Sequence, residues 1–354
     1  MYSFTLTWKN VSIHIGKYNP VLVNALIGCN TEKDFNSCKE KIDCFDNEIY
    51  RPEIITDVSL YSNSNVSTIW EYALRKEKFI VCTVPVYSVP DKNCITENDL
   101  LNVIKKQIFS GVKIITIHPT ITRELIEKSK SRITPCTSRG GGIILNDFLK
   151  NNRKQNVYLS CLDDIISICQ SNDVAISIGA AFRPANIIDA LDDVQLLELQ
   201  KQLEIANRIT AQGGKVILEM PGHIDLVKLE KLSELMQDID YPVMPLGPVV
   251  TEIGEGYDHI VSAIGLSHMG IKGHVQIISA MTAEEHTGGI PSIESTKEAI
   301  ITAKIVAHII DLYLLKNNSI DREIAISRKK SCLKYGKEGC ARCGEVCPLL
   351  LDLN

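Results

Sequence analysis

Short apolar runs alternate with amphipathic segments along most of this chain of 354 residues. The runs are rich in β-branched residues and apolar on both faces, as in IVCTVP, which begins at Ile80. Runs of this kind, each followed by a helical pattern, predict a parallel sheet that is covered by helices. Eight of them predict an α/β fold of the (β/α)8 TIM-type barrel class. The runs begin at Val21, Ile54, Ile80, Ile114, Val174, Lys215, Val243 and Val275.

The remaining segments define the ends of this predicted barrel. The interval between the fourth and fifth runs is about twice the usual one and contains TSRGGGIILNDFLKNN, which we interpret as an elaborated loop that opens a helix. A last long helix is predicted over residues 295–315, after which the chain becomes polar and basic. We therefore expect an N-terminal lead-in over residues 1–20, the barrel over residues 21–316, and a short C-terminal linker and tail over residues 317–354.

Polar residues lie at or just after the ends of the predicted strands. In a barrel of this kind, the chemistry gathers at the carboxyl ends of the strands. So many polar groups directed at one mouth would make a poor core, and one shared pocket explains them better. The residues at these positions are Asn24, Asp57, Ser59, Tyr87, His118, Arg183, Glu219, His223, Glu252, Glu285 and His286.

Composition and charge limit the partners of the protein. Hydrophobic residues make up 45% of the chain and charged residues 23%, which is ordinary for a globular enzyme. A net charge of -5 without a basic block gives no attraction to nucleic acid or to an anionic membrane, so we expect neither as a partner. The N-terminus shows no signal-peptide pattern, and the longest apolar helical stretch is interrupted by Lys304, His308 and Asp311. These observations predict a cytoplasmic protein.

Three of the 12 cysteines cluster near the C-terminus, in CARCGEVC. Cys340, Cys343 and Cys347 have C-x2-C-x3-C spacing, which suits three ligands of a [4Fe-4S] cluster and leaves one iron open to another ligand. A structural zinc site with Cys332 as the fourth thiolate is an alternative, and three thiols without a ligand are another. The spacing alone leaves these alternatives open.

An anion site is one interpretation of the SRGG segment that begins at Ser138. Ser138, Arg139 and Gly140 would direct backbone N–H groups and a guanidinium toward a phosphate, with the amino end of a helix behind them. A tight turn with a surface arginine is the alternative. Arg183 in FRPAN would either clamp the same anion or pair with a carboxylate at the barrel rim.

Two histidines follow different predicted strands, His223 in EMPGH and His286 in TAEEH. Imidazoles at such positions can meet over the barrel mouth and hold a divalent metal, with water or substrate completing its shell. A pair of hydrogen-bonded structural histidines is the alternative. The other histidines show no pairing that indicates more than a structural role, and they are His14, His259, His268, His274 and His308.

A series of short motifs carries a resemblance to a known family. From Val21 to Cys347 the chain contains, in order, VNALIG, TVPVY, TIH, SRGG, RP, E-x-PGH, LGP, GYDHI-x-SAIG, EEH-x-G and C-x2-C-G-x2-C. In this order they resemble the phosphomethylpyrimidine synthases, thiamin pyrimidine enzymes of the radical S-adenosylmethionine (SAM) class with an atypical, C-terminal cysteine motif. The resemblance covers nearly the whole chain, and the motifs together are highly specific.

The resemblance implies a (β/α)8 barrel with a short C-terminal Fe-S cluster tail, commonly in a homodimer. It implies that Cys340, Cys343 and Cys347 ligate a [4Fe-4S] cluster whose open iron binds SAM. Reduction by a partner such as flavodoxin or ferredoxin would cleave SAM to a 5′-deoxyadenosyl radical. That radical would start the rearrangement of a small phosphorylated substrate, aminoimidazole ribotide, to hydroxymethylpyrimidine phosphate in thiamin biosynthesis. The enzyme would be a carbon-carbon lyase.

The resemblance also implies roles for residues of the barrel mouth. His223 and His286 match the family's zinc or iron ligands. The residues that match its substrate contacts are Asn24, Tyr87, His118, Ser138, Arg139, Gly140, Arg183 and Glu219.

Three positions depart from the family pattern. The family's usual Asp-Gly-Leu-Arg segment reads AAFR from Ala180, which removes a carboxylate that would face the ribotide. Thr56 stands where the family has a methionine, and Met244 where it has a tyrosine. Loss of one hydrogen-bonding carboxylate typically costs about 1 to 3 kcal/mol, enough to alter which ligand binds.

The chain also lacks the family's usual N-terminal extension and most of the segment before the cysteines. These departures fit a divergent, shortened paralogue as well as the thiamin enzyme itself. One alternative function is therefore the synthesis of 5-hydroxybenzimidazole, a cobamide lower ligand, from the same ribotide. Another is a related radical rearrangement of a different small molecule. A non-catalytic cluster or zinc protein is the alternative from another class.

Overall fold

Seven parallel strands form the central sheet in the computed structural model, which describes residues 2–61, 68–328, 331–333 and 342–350. The sheet has the order β11-β3-β4-β5-β6-β7-β8 and curls so that its two end strands approach a common segment. Every residue of the four-residue strands is buried, apart from a half-buried Lys215, because helices cover one face and the interior lies on the other. The strands are β3 (Leu22–Ile27), β4 (Ile54–Asp57), β5 (Ile80–Thr83), β6 (Ile114–Ile117), β7 (Ala175–Ile178), β8 (Lys215–Leu218) and β11 (Ile277–Ala280).

Seven of the eight apolar runs thus form the predicted parallel sheet. The run at Val243 forms an isolated parallel bridge to Leu218 rather than a full strand. The Met244 N–H donates to the Leu218 carbonyl at 2.9 Å, and the Ile277 N–H donates to the Val243 carbonyl at 3.2 Å. Residues 242–244 therefore bond to both end strands of the sheet.

Twelve α-helices occur in the described ranges, and most of them follow the strands of the sheet, as the amphipathic segments predicted. Hydroxyl and carboxylate caps begin several of them, as where Thr96 accepts from the Asp99 N–H at the start of α3. The helices are α1 (Glu32–Cys44), α2 (Ile69–Lys76), α3 (Glu97–Ser110), α4 (Arg123–Ser129), α5 (Arg139–Lys150), α6 (Val157–Ser160), α7 (Leu162–Ser171), α8 (Asp193–Ala211), α9 (Leu226–Leu235), α10 (Asp258–Gly270), α11 (Ile293–Leu314) and α12 (Ser319–Ser327).

An antiparallel hairpin closes the amino ends of the sheet, and the sequence reasoning had predicted only a lead-in there. It consists of β1 (Ser3–Trp8) and β2 (Val11–Gly16). Leu6, Ile13 and Ile15 from the hairpin form one buried cluster with the first residues of most strands of the sheet, such as Ile54 and Ile80. The hairpin therefore fills the end of the sheet at which the strands begin.

Two further features bear on the predicted functions. The short parallel strands β9 (Pro221–His223) and β10 (Leu246–Val249) pair beyond the end of β8, where they include the last residues of the predicted runs that begin at Lys215 and Val243. None of the described helices combines the length with the apolar character that crossing a membrane requires.

Candidate functional site

A cavity of about 540 Å³ opens at the carboxyl ends of the strands. It collects polar side chains from β3, β4, β6, β11 and several of the loops that follow the strands, which is the arrangement that the strand-end pattern predicted. The structure brings together nine of the residues expected to bind substrate or metal. They are Asn24, Tyr87, His118, Ser138, Arg139, Arg183, Glu219, His223 and His286.

His223 and His286 meet at the rim of this cavity. Their Nε2 atoms are 3.1 Å apart, and the two rings lie edge to face. His223 ends β9, and the preceding Gly222 has a φ of +90° and would place a Cβ 2.3 Å from the Pro184 carbonyl oxygen. Only glycine fits there, so the sequence PGH is needed to turn the imidazole toward the cavity.

Carboxylates hold the outer nitrogen of each imidazole. Asp258, which is buried at the start of α10, lies 2.7 Å from Nδ1 of His286. Glu252 lies 3.2 Å from Nδ1 of His223. Burial lowers the pKa of His223, with the neighbouring His286 acting in the same direction, while Glu252 opposes the shift.

This arrangement fits a metal site whose remaining ligands come from outside the chain. Carboxylates on Nδ1 are the usual outer partners of metal-binding histidines, because they fix the tautomer that leaves Nε2 as the donor. The lowered pKa of His223 favours the neutral imidazole that a metal needs. Among the described residues, no group of three or more histidines, cysteines or carboxylates converges like a complete metal site. Two protein ligands would leave positions open for water or substrate.

His118 is fixed deep in the cavity by its neighbours. Its Nε2 lies 2.9 Å from the Ser138 hydroxyl, and its Nδ1 has no hydrogen-bond partner among the described residues. A Cβ on Gly140 would lie 2.3 Å from its Cε1, and a Cβ on Gly179 would lie 2.7 Å from its Cδ2. Burial, with a contribution from the positive charge of Arg183, lowers the pKa of His118 to about 3. The ring is therefore neutral and presents one unused nitrogen.

Positive charge gathers on the same side of the cavity. Ser138 caps α5 by accepting from the Gly141 N–H, and Arg139 is the first residue of that helix. The Arg139 guanidinium lies 5.0 Å from the centre of the Tyr87 ring and donates to the Val58 carbonyl at 2.8 Å. Arg183 lines the cavity and donates to the Ala180 carbonyl at 3.0 Å. The helix amino end and two guanidinium groups make this side suitable for an anion.

Glu219 supplies a buried carboxylate at the end of β8. Its Oε1 accepts from the Thr116 hydroxyl at 3.2 Å and from the Ser177 hydroxyl at 3.4 Å. Burial raises the pKa of Glu219, while the positive charge of Arg183 opposes the shift. A carboxyl group with a raised pKa can donate or accept a hydrogen bond to a ligand.

Asn24 lies at the bottom of the cavity and contacts Thr56 and Met244, two of the residues that depart from the family pattern. The Thr56 hydroxyl donates to its Oδ1 at 2.9 Å. Its Nδ2 lies 3.6 Å from the Met244 sulfur and 3.4 Å from the Ser279 hydroxyl, both long contacts that a ligand can displace. Thr56 and Met244 therefore set the orientation of the amide.

Other strand-end polar residues have structural roles that the pattern did not separate from binding. Asp57 accepts from the backbone N–H groups of Ser59 and Trp70 and from the Tyr61 hydroxyl, which fixes the start of α2. Burial raises the pKa of Asp57. Ser59 accepts in turn from the Cys29 N–H at 3.0 Å.

A buried glutamate holds the loop that carries Ala180 and Arg183. Glu198 of α8 accepts from the N–H groups of Ala181 and Phe182 at 2.7 and 2.8 Å, and from the Thr120 hydroxyl at 2.7 Å. Burial raises its pKa to about 7. Glu198 lies in the middle of an amphipathic helix. Its one signal in the sequence is a polar residue on the face of that helix that is otherwise apolar.

Two of the three clustered cysteines are among the described residues. Cys343 and Cys347 flank a short 3-10 helix, Gly344–Val346, and neither is among the described residues that line the cavity. Cys332 is exposed. Cys340, the first of the three predicted ligands, lies outside the described residues.

Sequence reasoning missed several residues that the cavity or its rim contains. Asp258 lies in the GYDHI motif, but nothing in the spacing paired it with His286. Lys41 of α1 and Thr282 after β11 both line the cavity. A lysine on the apolar face of a helix, between Cys38 and Phe45, was the available signal for Lys41.

Comparison with known proteins finds relatives that share one name. The phosphomethylpyrimidine synthase of Finegoldia magna is 32% identical over 96% of this chain and 85% of its own length. The enzyme of the same name from Clostridium tetani is 31% identical over 90% of this chain and 74% of its own length. That from Carboxydothermus hydrogenoformans is 31% identical over 82% of this chain and 76% of its own length.

A family model described as the Radical SAM ThiC family matches residues 5–339. The match covers both the hairpin and every element that lines the cavity. Radical SAM chemistry brings with it an iron-sulfur cluster and SAM in general. This chain belongs to the Radical SAM ThiC family, and it is an enzyme of the radical SAM class.

Proposed function

We propose that this protein is a radical SAM lyase that rearranges aminoimidazole ribotide to hydroxymethylpyrimidine phosphate. The observation that carries the proposal is the cavity, where an anion-binding side and an imidazole pair face the same space. The relatives that share about a third of their sequence with it are named phosphomethylpyrimidine synthases. The proposal therefore rests on both the geometry of the cavity and the family to which the chain belongs.

The phosphate of the ribotide would bind at the amino end of α5. The N–H groups of the first helical turn have no partner within the helix, and those of Arg139 and Gly140 are available beside the Ser138 hydroxyl. Arg139 and Arg183 would supply guanidinium donors to the phosphate oxygens. We assign Ser138, Arg139, Gly140 and Arg183 to this part of the substrate.

The ribose and the heterocycle would contact the neutral polar groups deeper in the cavity. His118 has a free Nδ1, and Glu219 has a raised pKa, so both can form hydrogen bonds without adding a full charge beside a radical. Tyr87 and the Asn24 amide complete this set. Each group is buried, so its position is set before the substrate binds, which favours a defined geometry for hydrogen removal.

His223 and His286 would hold a zinc or iron ion through their Nε2 atoms. The carboxylates on the opposite nitrogens fix the two donors, and the ion's open positions would take water or a polar atom of the substrate. Such an ion supplies Lewis-acid polarisation and orientation. The chain's own contribution is to hold the two Nε2 atoms 3.1 Å apart and aimed at one point.

The cluster would be held by Cys340, Cys343 and Cys347. The spacing provides three thiolates and leaves one iron for SAM, and Cys332 is exposed rather than packed beside a site. When bound, the cluster and SAM supply the 5′-deoxyadenosyl radical. Since Cys343 and Cys347 do not line the cavity of their own chain, we propose a homodimer in which each tail reaches the partner's cavity. A flavodoxin or ferredoxin would be the reductant.

We also propose that the sheet closes into a (β/α)8 barrel over residues 21–316. Residues 242–244 would form the remaining strand, because their backbone bonds to both β8 and β11. The hairpin within residues 1–20 would seal the amino ends of the strands, and residues 317–354 would form the linker and cluster tail. A sealed barrel would exclude water from one end of a site where a carbon radical must survive.

A second candidate is a sister reaction on the same ribotide that yields 5-hydroxybenzimidazole. The supporting observation is the set of three departures from the family pattern, because Ala180 offers no carboxylate in the loop after β7 and Thr56 and Met244, which line the cavity, contact Asn24. These changes leave the phosphate side and the imidazole pair intact. They therefore alter the heterocycle's surroundings more than the recognition of the ribotide.

Reconstitution tests the proposal and separates the two candidates. The cluster is rebuilt without oxygen, and dithionite and SAM are added with or without aminoimidazole ribotide. We expect 5′-deoxyadenosine that increases with the ribotide, together with a pyrimidine phosphate identified by mass. A benzimidazole product selects the second candidate. Deoxyadenosine formation that ignores the ribotide refutes both.

A further inference from the structure

Lys41 is a buried lysine that none of the assignments above uses. It lies in the last turn of α1, on the side of the helix that also carries the buried Cys38, Ile42 and Phe45. Only 4% of the residue is exposed, yet its side chain lines the cavity at the carboxyl ends of the strands. The chain therefore directs a cation from the helix layer into the site.

The Lys41 ammonium has no hydrogen bond or ion pair with any residue in the part of the chain that the structure describes. Burial lowers its pKa, and Cys38, Glu284 and Asp34 only partly oppose the shift. Glu284 and Asp34 form no ion pair with it, and Glu284 already accepts from the Ser295 hydroxyl. An ammonium that opens onto the cavity without a protein partner is available to an anionic ligand.

A second donor without a partner lies on the same side of the cavity. Thr282 follows β11, lines the cavity and is 7% exposed, and its hydroxyl has no hydrogen bond to any described residue. Since β11 pairs directly with β3, the loop of Thr282 and the helix of Lys41 follow neighbouring strands. Two hydrogen-bond donors without a protein partner thus follow neighbouring strands. They indicate an acceptor that a ligand would supply.

This side of the cavity is distinct from the proposed phosphate site. Arg139 and Arg183 follow β6 and β7, which β4 and β5 separate from β3 in the sheet. Because the sheet curls, the amino end of α5 and Arg183 lie across the cavity from the strand ends that lead to Lys41 and Thr282, while the Arg139 guanidinium extends to the Val58 carbonyl after β4. The cavity thus receives positive charge from two separate groups of elements.

We propose that Lys41 and Thr282 form a second anion subsite that binds a carboxylate of a bound ligand. One ammonium and one hydroxyl match the two oxygens and single charge of a carboxylate, whereas the guanidinium groups and helix amides of the opposite side suit a phosphate. The carboxylate belongs either to SAM, in its methionyl part, or to a substrate that carries an acid group beside its phosphate. The second source deepens the function proposed above and rests on it, while the first does not.

Paired ligands that differ only by a carboxylate test the subsite. One pair is SAM and decarboxylated SAM, and the other is aminoimidazole ribotide and its 4-carboxylated derivative. For each pair, calorimetric titration of the cluster-containing protein gives the ratio of the affinities for the ligand with the carboxylate and the ligand without it. We call this ratio the carboxylate preference of the pair. We expect Lys41→Met to reduce the preference of one pair by about tenfold or more, because a buried charge-assisted contact is lost. Comparing preferences isolates the contact from the cluster's own contribution.

Matched variants serve as controls. Lys105→Met removes an exposed lysine with the same change in charge, and it is expected to leave both preferences unchanged. Lys41→Arg keeps the charge and should retain most of the preference, while Thr282→Val should lose part of it. If Lys41→Met does not fold, the Thr282→Val titration decides.

The outcomes separate the two carboxylate sources and the two proposals. A changed SAM pair assigns the subsite to SAM, and a changed ribotide pair assigns it to an acidic substrate. Unchanged preferences in both Lys41→Met and Thr282→Val would overturn the subsite. Failure of the wild-type protein to bind either ribotide refutes the proposed function, and the SAM pair then still decides the subsite.

Discussion

The confinement of His118 between two glycines leads to a quantitative prediction about Gly140→Ala. Gly140 lies in the first turn of α5 with helical backbone angles, so alanine is compatible with its conformation. Its Cβ would nevertheless lie 2.3 Å from Cε1 of His118. The ring cannot retreat, because Gly179 approaches its other face and Ser138 bonds its Nε2. Relief of the clash must move the ring or the helix.

Gly142→Ala is the matched control in the same helix, because its Cβ would meet no atom within 4 Å. Replacing glycine by alanine within a helix stabilises by about 1 kcal/mol, and both variants gain this term. Only Gly140→Ala incurs the overpacking cost of about 1 to 3 kcal/mol. It also disturbs the bond between His118 and Ser138, a further loss of about 1 kcal/mol. The expected difference in unfolding free energy between the variants is therefore about 2 to 4 kcal/mol.

Urea unfolding followed by far-UV circular dichroism measures this difference. We expect Gly142→Ala to unfold at a higher urea concentration than the wild-type protein and Gly140→Ala at a lower one. Similar slopes of the transitions would show that both variants unfold from equally compact states. Coinciding transitions for the two variants would refute the argument, since they would mean that His118 can move at no cost.

Three other substitutions test the electrostatics of the site. We expect Asp258→Asn to weaken zinc or cobalt binding about 10 to 100-fold in metal titrations, because it removes the carboxylate that orients His286. Glu252→Gln should have a smaller effect, since Glu252 is half-exposed and lies farther from His223. Glu198 has a pKa raised to about 7 from an ordinary 4.5, so the folded state binds the proton more tightly than the unfolded state. Its contribution to stability is present below about pH 4.5 and is lost as the pH rises through 7, and urea midpoints across this range should fall less steeply in Glu198→Gln.

The parallel sheet was predictable because its sequence pattern is local and strong. Strands that are buried on both faces appear as continuous apolar runs, and seven of the eight runs became strands of one sheet. The run at Val243 is weaker, since it contains two prolines, which cannot donate to a ladder. Its first residue forms only a bridge to Leu218, and its last residues, from Leu246, pair with β9 in a separate two-stranded sheet. The hairpin over residues 3–16 was missed although both of its strands alternate polar and apolar residues, because a parallel sheet is indicated by runs that are apolar on both faces and these strands are not such runs.

The site was predictable as far as residue type and strand position could indicate it. The strand-end pattern and the motifs indicated nine residues that line one cavity in the structure. The sequence did not distinguish residues that bind a ligand from residues that support the fold. Asp57 is of the second kind, since it accepts only from backbone N–H groups and a hydroxyl. Partners that act across the fold, such as Asp258 on His286 and Lys41 in the cavity, depend on tertiary distances that a single sequence does not contain.

The substituted residues at the bottom of the cavity act through Asn24 rather than by opening empty space. A hydroxyl at Thr56 is a donor to Oδ1 that a methionine could not supply, so it fixes which end of the amide faces inward. The amide nitrogen is then left with only the long contacts to Met244 and Ser279, which a better acceptor on a ligand would replace. Ala180 leaves the loop after β7 without the carboxylate of the family pattern, while Lys41 brings a positive charge to the cavity from α1. Both changes favour a ligand that presents acceptors or an acid group to this region, and that selectivity comes from the chain itself, independent of the cluster.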